Sequence, residues 1–336
     1  MTDRTDVVGR VTRGVTVLAV TVGVAAGCGN AGADRVLTID ATGKVAGFVF
    51  FDQNGTLQFE DSDRRVPGVL VRLALTGGGT IVAEGTSDNE GLFSVAGVPV
   101  GNYTVIVDTT TVGDTAQVVR VDSTNLRLQP DDSIGVTVAI GFPNVPIADA
   151  RALPVGDKIF VTAVALSPLG AFADSTVHLR DASGTIRATR VVGVGVTTGD
   201  SARFLGRRNV RDGQPTLDDV ILFSLGVVGQ PQAVTTSTIL AASADGGALD
   251  AALVRVTNAT IDTTLTNQSG DFVMRVDDGT GEVEVIVDTD LGLNLNNFVE
   301  GAVIEATGVL VPTDQQVPRW GMKPRNNQDL RVITSP

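Results

Sequence analysis

Cysteine and histidine are nearly absent from this chain of 336 residues: it has one of each, Cys28 and His178. One cysteine excludes an internal disulfide, and one histidine excludes a histidine-rich metal site or a mechanism that reuses imidazole. Aromatic residues are scarce at 4%, with a single Trp and a single Tyr, and charged residues make up only 19%. Basic residues are outnumbered, 25 Lys and Arg against 38 Asp and Glu. The formal net charge of −13 repels nucleic acid and anionic lipid at long range, so any polyanion would have to be met by a local basic patch. No apolar run reaches the ~20 residues a membrane-spanning helix needs.

What the chain has instead is glycine, 39 residues of it, together with recurrent Val and Thr and 43% hydrophobic content. That is the composition of many short strands joined by turns, and it predicts an all-β protein. At roughly 100–200 residues per domain the length calls for two or three folded units.

The N-terminus carries Arg4, Arg10 and Arg13, then the apolar run Val15–Ala26, then Gly27 and Cys28. This is the layout of an export signal. Ala25-Ala26-Gly27-Cys28 resembles a bacterial lipobox, which implies removal of residues 1–27 and lipidation of Cys28. The polar, Gly-containing stretch 28–43 then reads as a flexible tether. Gly29 after the cysteine implies, in that family's pattern, an outer-membrane or cell-surface location.

Residues 44–143 contain short apolar runs with strand character, among them Lys44–Phe51, Gly68–Leu75, Leu92–Val95 and Tyr103–Val107, each broken by Gly, Asn, Asp or Pro. Gly47-Phe-Val-Phe-Phe-Asp52, Ser87-Asp-Asn-Glu-Gly-Leu-Phe93 and Val98-Pro-Val-Gly-Asn-Tyr-Thr-Val105 resemble the SdrD B-like and carboxypeptidase-regulatory-like domains of bacterial surface proteins. The resemblance implies a prealbumin-like β-sandwich that acts as a stalk, with Tyr103 as a packed ring whose hydroxyl is satisfied. It also implies a calcium loop over 52–63, with Asp52, Asn54, Glu60 and Asp63 as ligands at the spacing a hard cation needs. Leu57 stands where glycine is usual, so a solvated acidic loop is the alternative.

Pro143 and Pro146 mark a boundary, because proline cannot continue a sheet ladder. Beyond it the sequence repeats. Val177–Ala188 aligns with Val273–Val285 as strand, Asp-rich turn and strand, and Gly199–Gly206 aligns with Gly301–Gly308, the two glycines seven apart in both. The pattern resembles the OB-fold, a five-stranded Greek-key barrel, of the kind attached to secreted bacterial nucleases and phosphoesterases. It implies one OB-like unit over 144–235 and a second over 236–334.

Such barrels bind oligonucleotides or oligosaccharides on one face. From 144 to 235 nine basic residues face eight acidic ones, whereas from 236 to 336 six face fourteen. Only the first copy could meet a phosphate backbone, through Arg180, Arg187, Arg190, Arg203, Arg207, Arg208 and Arg211. The alternative for these arginines is a solvated face interleaved with aspartates. Trp320, flanked by basic residues, either stacks a base or sugar or plugs the end of the second barrel.

Nothing points to catalysis: Cys28 is assigned to lipid, and His178 lies mid-strand between Val177 and Leu179. The expectation is a non-enzymatic envelope lipoprotein that presents tandem OB-like modules on a β-sandwich stalk. Its ligand or partner would be an oligosaccharide, a protein or a short nucleic acid. The alternatives are a passive spacer, or an accessory subunit of a separately encoded nuclease or phosphoesterase.

Overall fold

The computed structural model describes residues 41–113, 115–172, 174–193, 195–227, 234–235, 247, 249–313 and 320–336. The export signal, Cys28 and the tether up to residue 40 lie outside the described residues. Three apolar cores follow one another along the chain.

The first core lies between two sheets. One runs β2 (Arg64–Arg65), β1 (Thr42–Asp52), β9 (Ser133–Gly141), β7 (Gln117–Val121), with β5 (Leu92–Pro99) also on β1. The other runs β4 (Ile81–Thr86), β3 (Leu70–Leu75), β6 (Gly101–Val107), β8 (Asn125–Leu128). Alternate residues such as Val71 and Leu73, Tyr103 and Val105, or Leu126 and Leu128 point between the sheets and are buried, the period-2 pattern that specifies a half-buried strand. The long parallel pairing of β1 with β9 brings Gly47 against Val136, where an added Cβ would lie 1.7 Å from the Val136 carbonyl oxygen. Tyr103 is 1% exposed and its Oη donates to the Pro99 carbonyl at 2.6 Å.

The second core fills a closed barrel of five strands: β10 (Lys158–Ala165), β11 (Val177–Arg180), β12 (Thr185–Ala188), β14 (Gln214–Val227) and β13 (Asp200–Arg211), in that order around the ring. β12 and β14 are parallel and every other neighbour is antiparallel. Strand order 1-2-3-5-4 closing back on 1 is the OB topology. Two bulges against β14, at Ala202/Arg203 and Leu205/Arg207, bend β13 enough to close the ring. A short helix, α1 (Ile147–Ala152), stoppers one end with Ile147 and Ala150. Its first two N–H groups donate to Asp181 Oδ2 at 2.8 Å and Ser183 Oγ at 3.0 Å on the β11–β12 turn.

The third core repeats this order with β16 (Leu253–Thr266), β17 (Phe272–Asp277), β18 (Glu282–Val287), β20 (Trp320–Lys323) and β19 (Val303–Pro312). β16 pairs with β19 to close the ring, and β18 with β20 is again the parallel pair. β15 (Val234–Thr235) and β21 (Leu330–Thr334) extend the sheet at β16 and β19. Gly199 and Gly301 stand just before the long fourth strand of each barrel, and Gly206 and Gly308 lie inside it. The repeat read from the sequence is therefore a repeat of structure. Leu166 and Phe172 of the first barrel pack on Leu253 and Val309 of the second in a smaller apolar cluster.

Candidate functional site

The acidic loop after β1 closes on its own backbone. Asp52 accepts from Gly55 N–H at 2.6 Å and Leu57 N–H at 2.9 Å, and Asp63 accepts from Gln53 N–H and Glu60 N–H, each at 3.0 Å. Asn54 Nδ2 donates to Glu60 Oε2 at 2.9 Å. Among the described residues no group of three or more His, Cys, Asp or Glu could hold a metal ion. Of the expected calcium set, Asp52 and Asp63 thus accept from the loop's own N–H groups, while Asn54 and Glu60 hold each other. Phe59 lies 5.4 Å from both Phe48 and Phe50, and the Arg65 guanidinium stacks on Phe48 and Phe59 at 4.0 and 4.8 Å. Leu57 sits in the left-handed region at φ 62, where glycine would be easier.

The arginines of the first barrel do not form one open basic face. Asp218, 1% exposed, is the hub of a buried network: Arg211 reaches it at 2.6 Å, Arg190 at 3.2 Å, Thr189 Oγ1 at 2.7 Å and Asn209 Nδ2 at 2.8 Å. Burial alone would raise its pKa. The donated hydrogen bonds outweigh burial and hold the carboxyl well below the usual range. Arg190 also pairs with Asp219 at 2.9 Å, and Arg187 with Asp212 at 2.7 Å. Arg208 is buried, with Nε and Nη2 donating to the Arg151 carbonyl at 3.2 and 3.0 Å. Arg180 is exposed at the end of β11. Arg187, Arg190, Arg208 and Arg211 thus each hold an intramolecular partner; Arg187 and Arg208 are largely buried, whereas the Arg190 and Arg211 side chains remain 55% and 38% exposed. Trp320, at 6% exposure, belongs to the core of the second barrel, the plug-like of the two roles its setting allows.

Arg203 is different. With Lys158 and Arg207 it lies on the outer face of the β10–β13 pair, where Lys158 stands directly opposite Arg207 and Thr162 opposite Arg203. The half-buried Arg203 guanidinium donates to the Gly55 carbonyl of the sandwich and stacks on Phe160 at 4.7 Å. Gly55 is in the left-handed region at φ +74, and any Cβ there would lie 2.6 Å from that guanidinium. Lys158 Nζ stands 4.6 Å from the Phe142 ring, and Arg207 Nη1 donates to the Gly156 carbonyl at 2.7 Å. Between the sandwich and the first barrel Arg203 borders a cleft of about 280 Å³, lined with it by Asp52, Gln117, Phe142, Asn144 and Phe160 among others; Lys158 adjoins this lining through the Phe142 ring. Asp52 and Arg203, singled out on unrelated grounds, meet here. Lys158 and Phe142 were not singled out. The signal was the alternation Lys158-x-Phe160-x-Thr162, which puts all three on one strand face.

His178 and Ser167, 1% and 0% exposed, form the one serine–histidine contact among the described residues. Ser167 Oγ accepts the His178 backbone N–H at 3.1 Å and is hydrogen-bonded to Nδ1 of the ring at 3.2 Å. Nε2 has no partner, and burial, aided by the charges of Arg187 and Lys323, pushes the imidazole down to about 3. This is a packed neutral histidine against Phe172, 5.9 Å away, with no access for a substrate.

No family model matches the chain, and no curated protein matches it in sequence. Among solved structures, the minor pilin GBS52 of Streptococcus agalactiae is similar at 16% identity and a TM-score of 0.25, over 32% of this chain and 46% of the pilin, so less than half of the pilin is spanned. The HINa domain of Ifi202, solved with 20-bp double-stranded DNA, is similar at 9% identity and a TM-score of 0.26, over 55% of this chain and 98% of that one. The Bacillus anthracis TIE protein is similar at 10% identity and a TM-score of 0.23, over 88% of this chain and 48% of its own. At these scores the likenesses carry no functional argument. The chain's own strand order and register make it an all-β protein in which a β-sandwich is followed by two OB-like barrels.

Proposed function

We propose that this protein is a non-enzymatic scaffold of the bacterial cell envelope, held to a membrane by lipid on Cys28, in which a β-sandwich base carries two OB-like barrels docked to each other. One observation carries the reading: the polar clasps between the barrels. Arg151 of α1 pairs with Asp250 at 2.7 Å, with side chains 10% and 4% exposed, and Thr185 Oγ1 donates to the Asp250 carbonyl. On the other side of the shared apolar cluster, Arg325 Nη1 donates to the Leu166 carbonyl at 2.7 Å while its other nitrogens bind Asp329. Arg151 Nη1 also donates to the Thr185 carbonyl at 2.9 Å, so the pair is built into the seam, and removing either partner alone would leave the other charge buried at a cost of about 3–5 kcal/mol.

Oligonucleotide or oligosaccharide capture across the arginine face, and service to a separate nuclease or phosphoesterase, both call for free guanidinium groups. Arg187 and Arg208 are largely buried on intramolecular partners, which favours the scaffold reading. The sealed Ser167–His178 pair supports a non-catalytic role. A double-mutant cycle on Arg151→Ala and Asp250→Ala tests the docking: strong coupling in the unfolding free energy supports it, and simple additivity removes it. Envelope fractionation tests the anchor, with Cys28→Ser expected to move the protein from the membrane to the soluble fraction.

A further inference from the structure

A second feature stands apart from the docking of the barrels: cations without ion-pair partners stand at and beside the cleft between the sandwich and the first barrel. Lys158, Arg203 and Arg207 share the outer face of β10–β13, and among the described residues none of the three is in an ion pair. Of these, Arg203 lines the cleft itself and Lys158 adjoins it through the Phe142 ring. Arg203 is half-buried, a position in which a cation normally has a carboxylate partner. The acid in the wall does not serve. Both oxygens of Asp52 are turned to the N–H groups of Gly55 and Leu57, and they close the loop.

The rest of the lining fits a compact body attached to the anion. The Phe142 and Phe160 rings hold Lys158 and Arg203 by cation–π contact, which fixes the two charges. Asn144, whose Oδ1 accepts from Thr162 Oγ1 at 3.3 Å, and Gln117 add polar groups to the lining. A volume of about 280 Å³ lies at the lower end of small-molecule sites and suits a single ring rather than a polymer. We propose that this cleft binds a compact organic anion, a carboxylate or phosphate monoester on a sugar-sized ring, with Arg203 and Lys158 taking the charge and Asn144 and Gln117 the hydroxyl groups. An anion that binds only the folded chain also stabilises it.

The test is titration of the full chain with glucuronate, glucose 6-phosphate and neutral glucose, followed by calorimetry and by the Arg Nε signals in NMR spectra. Saturable one-to-one binding of at least one anion, tighter than glucose by about tenfold or more and accompanied by a shift of the Arg203 Nε signal, is the expected result. Whichever anion binds more tightly identifies the source of the charge. Arg203→Gln should weaken binding about ten- to hundredfold, and Lys158→Gln should weaken it while leaving the Gly55 contact in place. Arg331→Gln, on β21 of the other barrel, should change nothing. Absence of saturable binding by both anions, equal binding of glucose, or unchanged affinity in both Arg203→Gln and Lys158→Gln would overturn the proposal.

Discussion

Lowering the pH from 7 to 5 removes about 2 kcal/mol from the stability of the first barrel, through one side chain. The imidazole of His178 is 1% exposed, and its pKa in the folded protein is pushed down to about 3, whereas in the unfolded chain it titrates near the ordinary value of 6.5. Between those values the unfolded chain binds a proton and the folded barrel does not, so stability is complete above 6.5 and falls as the pH falls toward 3. Each unit below 6.5 approaches a loss of about 1.4 kcal/mol, and one and a half units amount to about 2. His178 is the only histidine in 336 residues, and carboxylates at ordinary pKa stay ionised above pH 5, so this window isolates it. Urea unfolding of the full chain at pH 7, 6 and 5, with hydrogen exchange read on the segment 177–188, measures the slope. His178→Leu must abolish it, whatever that change does to absolute stability. A flat profile in the wild type, or the same slope in His178→Leu, would refute burial as the cause.

Further expectations rest on separate observations. Asp218→Ala removes the buried acceptor shared by Arg211, Arg190, Thr189 and Asn209 and should cost the barrel about 1–3 kcal/mol, read as a lowered thermal midpoint. In the wild type the same carboxyl, whose pKa is lowered on folding, should add a second phase of acid destabilisation as the pH falls below about 4. Gly47→Ala places a methyl 1.7 Å from the Val136 oxygen and should break the β1–β9 pairing, seen as loss of protection in both strands. Tyr103→Phe removes only the bond to Pro99 and should cost about 1 kcal/mol in urea titration.

The strands were legible because their code is local: alternation in Leu70–Leu75 and Tyr103–Val107, turn residues between runs, and the paired Gly-x6-Gly segments all act within a few residues. The strand order followed from the repeat. The site was legible only in part, since what an arginine does depends on what lies across the sheet. Arg211 and Asp218 face each other over the β13–β14 hairpin, and Arg187 meets Asp212 through a parallel neighbour, so residues that read as a basic cluster along the chain are neutralised across it. The acidic loop carried ligand-like spacing, but Phe59 and Arg65 fold it on the sheet and its carboxylates turn inward. Arg151 and Asp250 are 99 residues apart, and no local pattern announces such a contact.

That contact also bears most directly on the central claim, that the two OB-like barrels are docked as one body. Residual dipolar couplings measured on the amides of β10–β14 and of β16–β20 in the full chain report the alignment of each barrel separately. Docked barrels share one alignment tensor, and Arg151→Ala with Asp250→Ala should split it into two. Two different tensors in the wild-type chain would contradict the account.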